Sequence, residues 1–224
     1  MQLNDNTINI LKNFAGINSN LLVEPGKVLR TMAEARNILA TAELDQDLPG
    51  FGIHDLNEFL SALSLMDSPD LTFGENYVTI ADGIGRSRIK YFYSDKSVLT
   101  YPQKEISMPS AEVTLTLDSA TLDKVRRAAS AFGYDKLSIT AAESGALRLT
   151  VVDNADPTSN SYSIDVAGSY REKEFNFVIN IGNIKILSGD YTVDISSKLI
   201  SKFSHKEKSV NYFIALEKSS TFGG

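Results

Sequence analysis

The chain has 224 residues, 42% of them hydrophobic, no cysteine and a formal net charge of −6. Disulfides, thiolate metal sites and thiol chemistry are excluded, and the acidic balance argues against a surface that binds nucleic acid all over. The N-terminus lacks the basic and apolar regions of a secretory signal, and no apolar run approaches the roughly 18–20 residues that a membrane helix needs.

Asn4–Ala15 is predicted as a helix with Thr7, Ile8, Leu11, Phe14 and Ala15 as its apolar stripe, Lys12 and Asn9 on another face, and Gly16 at its end. Strands are predicted over Leu21–Val23, Val28–Met32 and Ile38–Leu44, with Pro25-Gly26 turning the first pair. A second unit begins at Phe51. Asp55 and Glu58 have capping spacing, Leu56, Phe59, Leu60 and Leu63 form a buried helix face, and a hairpin (Leu71–Phe73, Tyr77–Ile80) and a strand (Arg86–Tyr93) follow. Ser94–Ser110, with Pro102 and Pro109, reads as a linker.

The clearest unit is Ala111–Val152. Val113, Leu115 and Leu117 alternate as in a strand. Asp118 sits where an N-cap belongs, Leu122, Val125, Ala129 and Phe132 recur with helical spacing, and Gly133 ends the run. Strands Leu137–Thr140 and Leu147–Val151 follow, joined at Glu143-Ser144-Gly145, with a last strand at Tyr162–Val166. A fourth unit starts at Phe175. Asn180 is read as the cap of a short helix carrying Ile181, Ile184 and Leu187 and ended by Gly189; strands over Tyr191–Ile195, Leu199–Phe203 and Val210–Leu216 complete it.

Phe51, Val113 and Phe175 lie about 62 residues apart. The pattern suggests four strand–helix–hairpin–strand repeats, the first truncated, paired into two domains: residues 1–110, including the linker at 94–110, and residues 111–224. The expected class is α+β, each domain an antiparallel sheet with its helices gathered on one face. Arg86–Tyr93 and Tyr162–Val166 are candidate edge strands by alternation.

Catalytic constellations are lacking. His54 and His205 fall in no metal spacing, and both are expected at the surface. The acid pairs Asp45 and Asp47, Asp153 and Asp156, and Glu172 and Glu174 sit in polar loops. Gly83-Ile84-Gly85-Arg86-Ser87 lacks the lysine and the following helix of a phosphate loop and reads as a turn. No catalytic residue, metal site or cofactor is assigned. The cations are more informative. Lys124 and Arg127 share one face of the third helix, with Arg126 on the flank, and Lys12 and Lys185 hold comparable places. The second helix, with Asp55, Asn57, Glu58 and Ser61, has none. Gathered on one face, these cations would suit a phosphate backbone read without sequence.

The segments LKNFAGINS (Leu11–Ser19), YDKLSIT (Tyr134–Thr140), FNFVIN with the piece after it (Phe175–Leu187) and NYFIALE (Asn211–Glu217) resemble, in order and spacing, the sliding clamps of T-even-type bacteriophages, the DNA polymerase accessory processivity proteins. Val28–Gln46 and the linker depart from that pattern. The resemblance implies the DNA clamp fold and a homotrimeric ring closed head to tail through sheet edges around duplex DNA. Four helices from each of three subunits, spaced roughly 8–10 Å, put the helix axes on a ring about 34 Å across and leave a lumen of roughly 25 Å. It implies that Lys12, Lys124, Arg126, Arg127 and Lys185 face the DNA. The implied partners are the phage DNA polymerase, the clamp-loader ATPase and late-transcription factors. Their peptides would dock at Val98, Leu99, Ile106, Phe213 and Ala215, all in the cytoplasm of the infected host cell. Two other readings fit the same residues: a monomeric factor that grips DNA on an open basic face, and a β-rich adaptor that never touches DNA.

Overall fold

The computed structural model describes residues 1–143, 145–156 and 158–223. The chain divides into two compact units, Met1–Lys104 and Glu105–Gly224.

In the first unit, α1 (Asp5–Ala15) starts at Asn4, whose extended backbone lets its side chain accept the Thr7 N–H. Thr7, Ile10, Leu11 and Phe14 are buried. This is a strict i, i+3, i+4, i+7 stripe, so Ile10 takes the core position read for Ile8, which is half-buried. β1 (Leu21–Val23), β2 (Gly26–Met32), β3 (Ile38–Leu48) and β4 (Phe51–Ile53) follow. β1 pairs with β4, and β2 pairs with β3. Pro25-Gly26 therefore does not turn a hairpin. It redirects the chain from one pairing to another, and Gly26 does so at φ 121°, which a side chain resists.

α2 (Leu56–Ser64) is capped by Asp55, which accepts the Asn57 and Glu58 N–H groups. Its buried residues are Leu56, Phe59, Ala62 and Leu63, with Leu60 half-buried. Phe59 meets Tyr91 edge to face at 5.2 Å, and the Tyr91 hydroxyl donates to the Asp55 carbonyl. β5 (Asp70–Phe73), β6 (Tyr77–Ala81) and β7 (Arg88–Phe92) make an antiparallel three-stranded sheet that β7 ends. The Gly83-Ile84-Gly85 turn is closed by its own acid: the Asp82 carboxylate accepts the Arg86 and Ser87 N–H groups. That leaves no donor cradle for a phosphate.

In the second unit the elements are β8 (Val113–Leu117), α3 (Ser119–Phe132), β9 (Lys136–Ala141), β10 (Leu147–Val152), β11 (Tyr162–Val166), β12 (Gly168–Tyr170), β13 (Phe175–Asn180), β14 (Tyr191–Ser196), β15 (Ile200–His205), β16 (Val210–Ala215) and β17 (Thr221–Phe222). The turn read at Glu143-Ser144-Gly145 includes Ser144, which lies outside the described residues. One sheet runs β11-β10-β9-β13-β17. Within the unit, β12, β8, β14, β15 and β16 follow one another in a second antiparallel array. Each array thus joins a three-strand meander from one repeat to the lead strand of the other. Neither repeat can complete its sheet alone.

β12 and β17 carry too little alternation to read from sequence. β12 depends on Gly168, where a Cβ would overlap the Thr114 carbonyl oxygen and Leu147. β17 is held by Phe222, which stacks on Phe177 at 6.1 Å. The lead strands β4, β8 and β13 begin at Phe51, Val113 and Phe175, the three positions that the repeat spacing marks. The class is α+β, with antiparallel sheets and three α-helices among the described residues.

Candidate nucleic-acid interface

α3 carries three of the five cations assigned to one face, Lys124, Arg126 and Arg127. The Asp118 carboxylate accepts the Thr121 N–H at 2.6 Å, and this bond holds the carboxyl below its ordinary range. Gly133 closes the helix in the left-handed region at φ 73°. Thr121, Leu122, Val125 and Ala129 are buried, and the helix packs on β10 and β11. That orientation leaves Lys124 and Arg127 exposed. Phe132, read as part of the apolar stripe, is the last residue of the helix; it is 40% exposed and lies against Tyr134.

Arg126 differs from its neighbours. It is half-buried, and its guanidinium Nη2 donates to the Ile184 carbonyl oxygen at 2.8 Å. Lys12 is exposed in the last turn of α1. On α2, the exposed Asn57, Glu58 and Ser61 carry no positive charge.

The fourth helix expected over Ile181–Leu187 does not form. Only a 3-10 turn, Ile181–Asn183, is present, capped by Asn180 through the Gly182 N–H. Beyond it, side chains take over the backbone groups that a helix would pair internally. The Leu187 N–H donates to the Tyr212 hydroxyl, and the Tyr191 hydroxyl donates to the Leu187 carbonyl. Both tyrosines are fully buried. Burial pushes the phenol of Tyr212 up to about 12 and raises that of Tyr191 further, so both stay neutral and can serve as hydrogen-bonding partners. Lys185 is exposed on this segment rather than on a helix.

His54 is exposed, but His205 is buried. His205 closes the turn it was assigned to: its Nδ1 accepts the Glu207 and Lys208 N–H groups. Nε2 therefore carries the proton and faces the Ser188 carbonyl at 3.3 Å. The ring packs edge-on against Tyr191 at 5.0 Å. This cluster of Tyr191, Tyr212, His205 and Arg126 is what the sequence reading missed. The available signal was two tyrosines at inward positions of β14 and β16, since a buried phenol needs a partner for its hydroxyl.

The residues assigned to partner peptides divide by exposure. Val98 and Ile106 are 61% and 42% exposed. Leu99 and Phe213 are buried, and Ala215 is half-buried. Leu99 lies against β4, where Gly52 leaves the room that a side chain would fill. Among the described residues no group of acids and histidines could hold a metal ion, and no helix is long and apolar enough to cross a membrane.

Residues 114–218 match the family model described as gp45 sliding clamp, C terminal. A sliding clamp of Escherichia phage RB69 is 33% identical over 229 residues, covering 99% of each chain. That of Vibrio phage KVP40 is 31% identical over 222 residues, covering 97% of this chain and 99% of its own. Among solved structures, the proliferating cellular nuclear antigen of Entamoeba histolytica superposes with a TM-score of 0.70 at 13% identity, covering 94% of both chains. That of Thermococcus kodakaraensis gives 0.69 at 14%, covering 94% of this chain and 95% of its own. These two likenesses are of fold. Identity above 30% across nearly the whole length carries the assignment: this chain belongs to the family of sliding clamps, which are not enzymes.

Proposed function

We propose that three copies of this chain close head to tail around duplex DNA and hold the phage DNA polymerase to its template by enclosure. The supporting observation is the charge distribution. A chain of net charge −6 places Lys124 and Arg127 on the exposed face of α3 and Lys12 on that of α1. A ring that must slide needs weak, screened, sequence-independent attraction inside and repulsion outside. β7 and β11 end their sheets and supply the edges for closure. With the 181–190 segment standing in for a fourth helix, three subunits still present about twelve elements to the lumen, on a circle of axes about 34 Å across.

In the same reading, the clamp-loader ATPase opens and closes the ring in the cytoplasm of the infected cell. Peptides of the polymerase and of late-transcription factors dock at the residues named for them, with Val98 and Ile106 offering the accessible apolar surface.

Light scattering across a dilution series tests the ring. A mass about three times the 24.5 kDa chain supports it, and a monomer at every concentration overturns it in favour of an open gripping factor. Loading onto circular DNA tests enclosure: the protein should stay on the circle and leave when the DNA is linearised. The pair Lys124→Gln and Arg127→Gln should shorten that residence and leave the circular dichroism spectrum unchanged. Unchanged residence at physiological salt would remove these residues from the DNA-facing surface.

A further inference from the structure

The segment after the 3-10 turn has no helix to shape it, yet its backbone is held at successive points by side chains from four other elements. Arg126 of α3 donates to the Ile184 carbonyl oxygen at 2.8 Å. Tyr212 of β16 accepts from the Leu187 N–H at 3.1 Å, and Tyr191 of β14 donates to the Leu187 carbonyl at 2.7 Å. His205 of β15 reaches the Ser188 carbonyl at 3.3 Å, against Gly189. Lys185 lies between the first two of these ties and is exposed. Ile184, its neighbour, is tied to the residue that stands between Lys124 and Arg127 on α3.

Resting on the DNA-facing reading above, we propose that Tyr212, Tyr191 and Arg126 are positioning residues: they clamp the backbone on both sides of Lys185 and so hold that lysine on the same face as Lys124 and Arg127. Arg126 then acts through the Ile184 carbonyl rather than by touching phosphate. The arrangement does the work of a helix in a segment whose sequence opposes one. Side-chain ties fix the backbone with hydrogen bonds to buried phenols, each needing its partner to avoid an unsatisfied group.

Tyr212→Phe tests this without changing any charge. It keeps the buried ring and removes the acceptor of the Leu187 N–H. Amide hydrogen exchange at Leu187 should quicken about five- to tenfold, reporting loss of one hydrogen bond. The slope of log affinity against log salt, measured by titration with a short DNA duplex, should fall by about 1, as it should for Lys185→Gln. A merely structural role would not move this slope, because no cation has been removed. In the Lys185→Gln background, Tyr212→Phe should lower the slope no further. Tyr191→Phe, read in the same way, keeps the test intact if the first variant fails to fold.

An unchanged Leu187 exchange rate, an unchanged slope, or a further fall in the Lys185→Gln background each overturns the proposal. The pair Lys124→Gln and Arg127→Gln separates the two levels. If that pair lowers the slope and Tyr212→Phe does not, the positioning role fails alone. If that pair also leaves the slope unchanged, the DNA-facing reading fails and the positioning role with it.

Discussion

The two repeats of the second unit begin alike and part within one strand length. β8 leads into α3, fourteen residues long, while β13 leads into a single 3-10 turn and an irregular stretch. Both segments carry apolar residues at helical spacing, so spacing does not explain the difference. The SATLDKVRRAASAF of α3 has no glycine inside it, an aspartate cap before it and a glycine after it. The other, IGNIKILSGD, contains Gly182 and Gly189 and three isoleucines. Relative to alanine, these five residues cost a helix about 3 kcal/mol. The ties from Arg126, Tyr191 and Tyr212 satisfy the backbone groups that the missing helix leaves over. An amphipathic period says which side faces the core. Caps and glycines decide whether the backbone can be helical.

The glycines that end the two segments should show the widest gap. Gly133 sits at φ 73° with open space where a side chain would go. Gly133→Ala should cost about 1 kcal/mol, from backbone strain alone. Gly189 also has a positive φ, 147°, but a Cβ there would overlap the His205 ring. Gly189→Ala should cost about 3 kcal/mol, because strain and overpacking combine. Urea titration of both variants checks the contrast. Equal losses would mean that the His205 ring yields and does not hold the segment.

Alkaline unfolding should follow, with an effect per phenol just below that of Gly189→Ala. Burial raises the phenols of Tyr191 and Tyr212, the latter to about 12. A raised folded pKa means that the unfolded chain loses its proton first. Stability is therefore full below pH 10 and falls as pH rises toward the folded values, by about 1.4 kcal/mol per pH unit for each tyrosine. Between pH 10 and 12, Tyr212→Phe should flatten the fall by one tyrosine's share. No comparable term arises from α3, which is packed by Leu122, Val125 and Ala129.

Much of this fold was legible because local signals agreed with the tertiary result. The three lead strands start where the 62-residue spacing puts them, and the caps Asp55 and Asp118 act as read. What could not be read is pairing between distant segments. The partnership of β1 with β4 depends on residues about thirty positions apart, and β17 depends on one phenylalanine stacking across a sheet. The exposed cations of α3 were visible from its period, but the half-buried Arg126 was not, because its partner is a backbone carbonyl 58 residues away. His205 went astray for a similar reason. The polar run His205-Lys206-Glu207-Lys208 looks like a solvated turn, and the residue that closes such a turn from inside has the same composition as one that faces water.

The caps give the smallest and most discriminating contrast. Asp118→Ala removes the acceptor of the Thr121 N–H and should cost about 1 kcal/mol. Asn180→Ala removes the Gly182 bond of a three-residue turn together with a bond to Asp135, and should cost about 0.5 kcal/mol, since the segment beyond is held by other side chains. Acid separates the two. The Thr121 N–H holds the Asp118 carboxyl below its ordinary value, so its contribution is complete above the carboxylate range and is lost as pH falls through the folded value. Asn180 does not titrate. On moving from pH 7 to pH 3 the urea midpoint of Asp118→Ala should approach that of the wild type, while the share of the Asn180→Ala deficit that comes from the Gly182 bond should stay as it was. Parallel deficits at both pH values would show that the charge on Asp118 adds nothing to its role as an acceptor, and that the carboxyl caps α3 equally well when protonated.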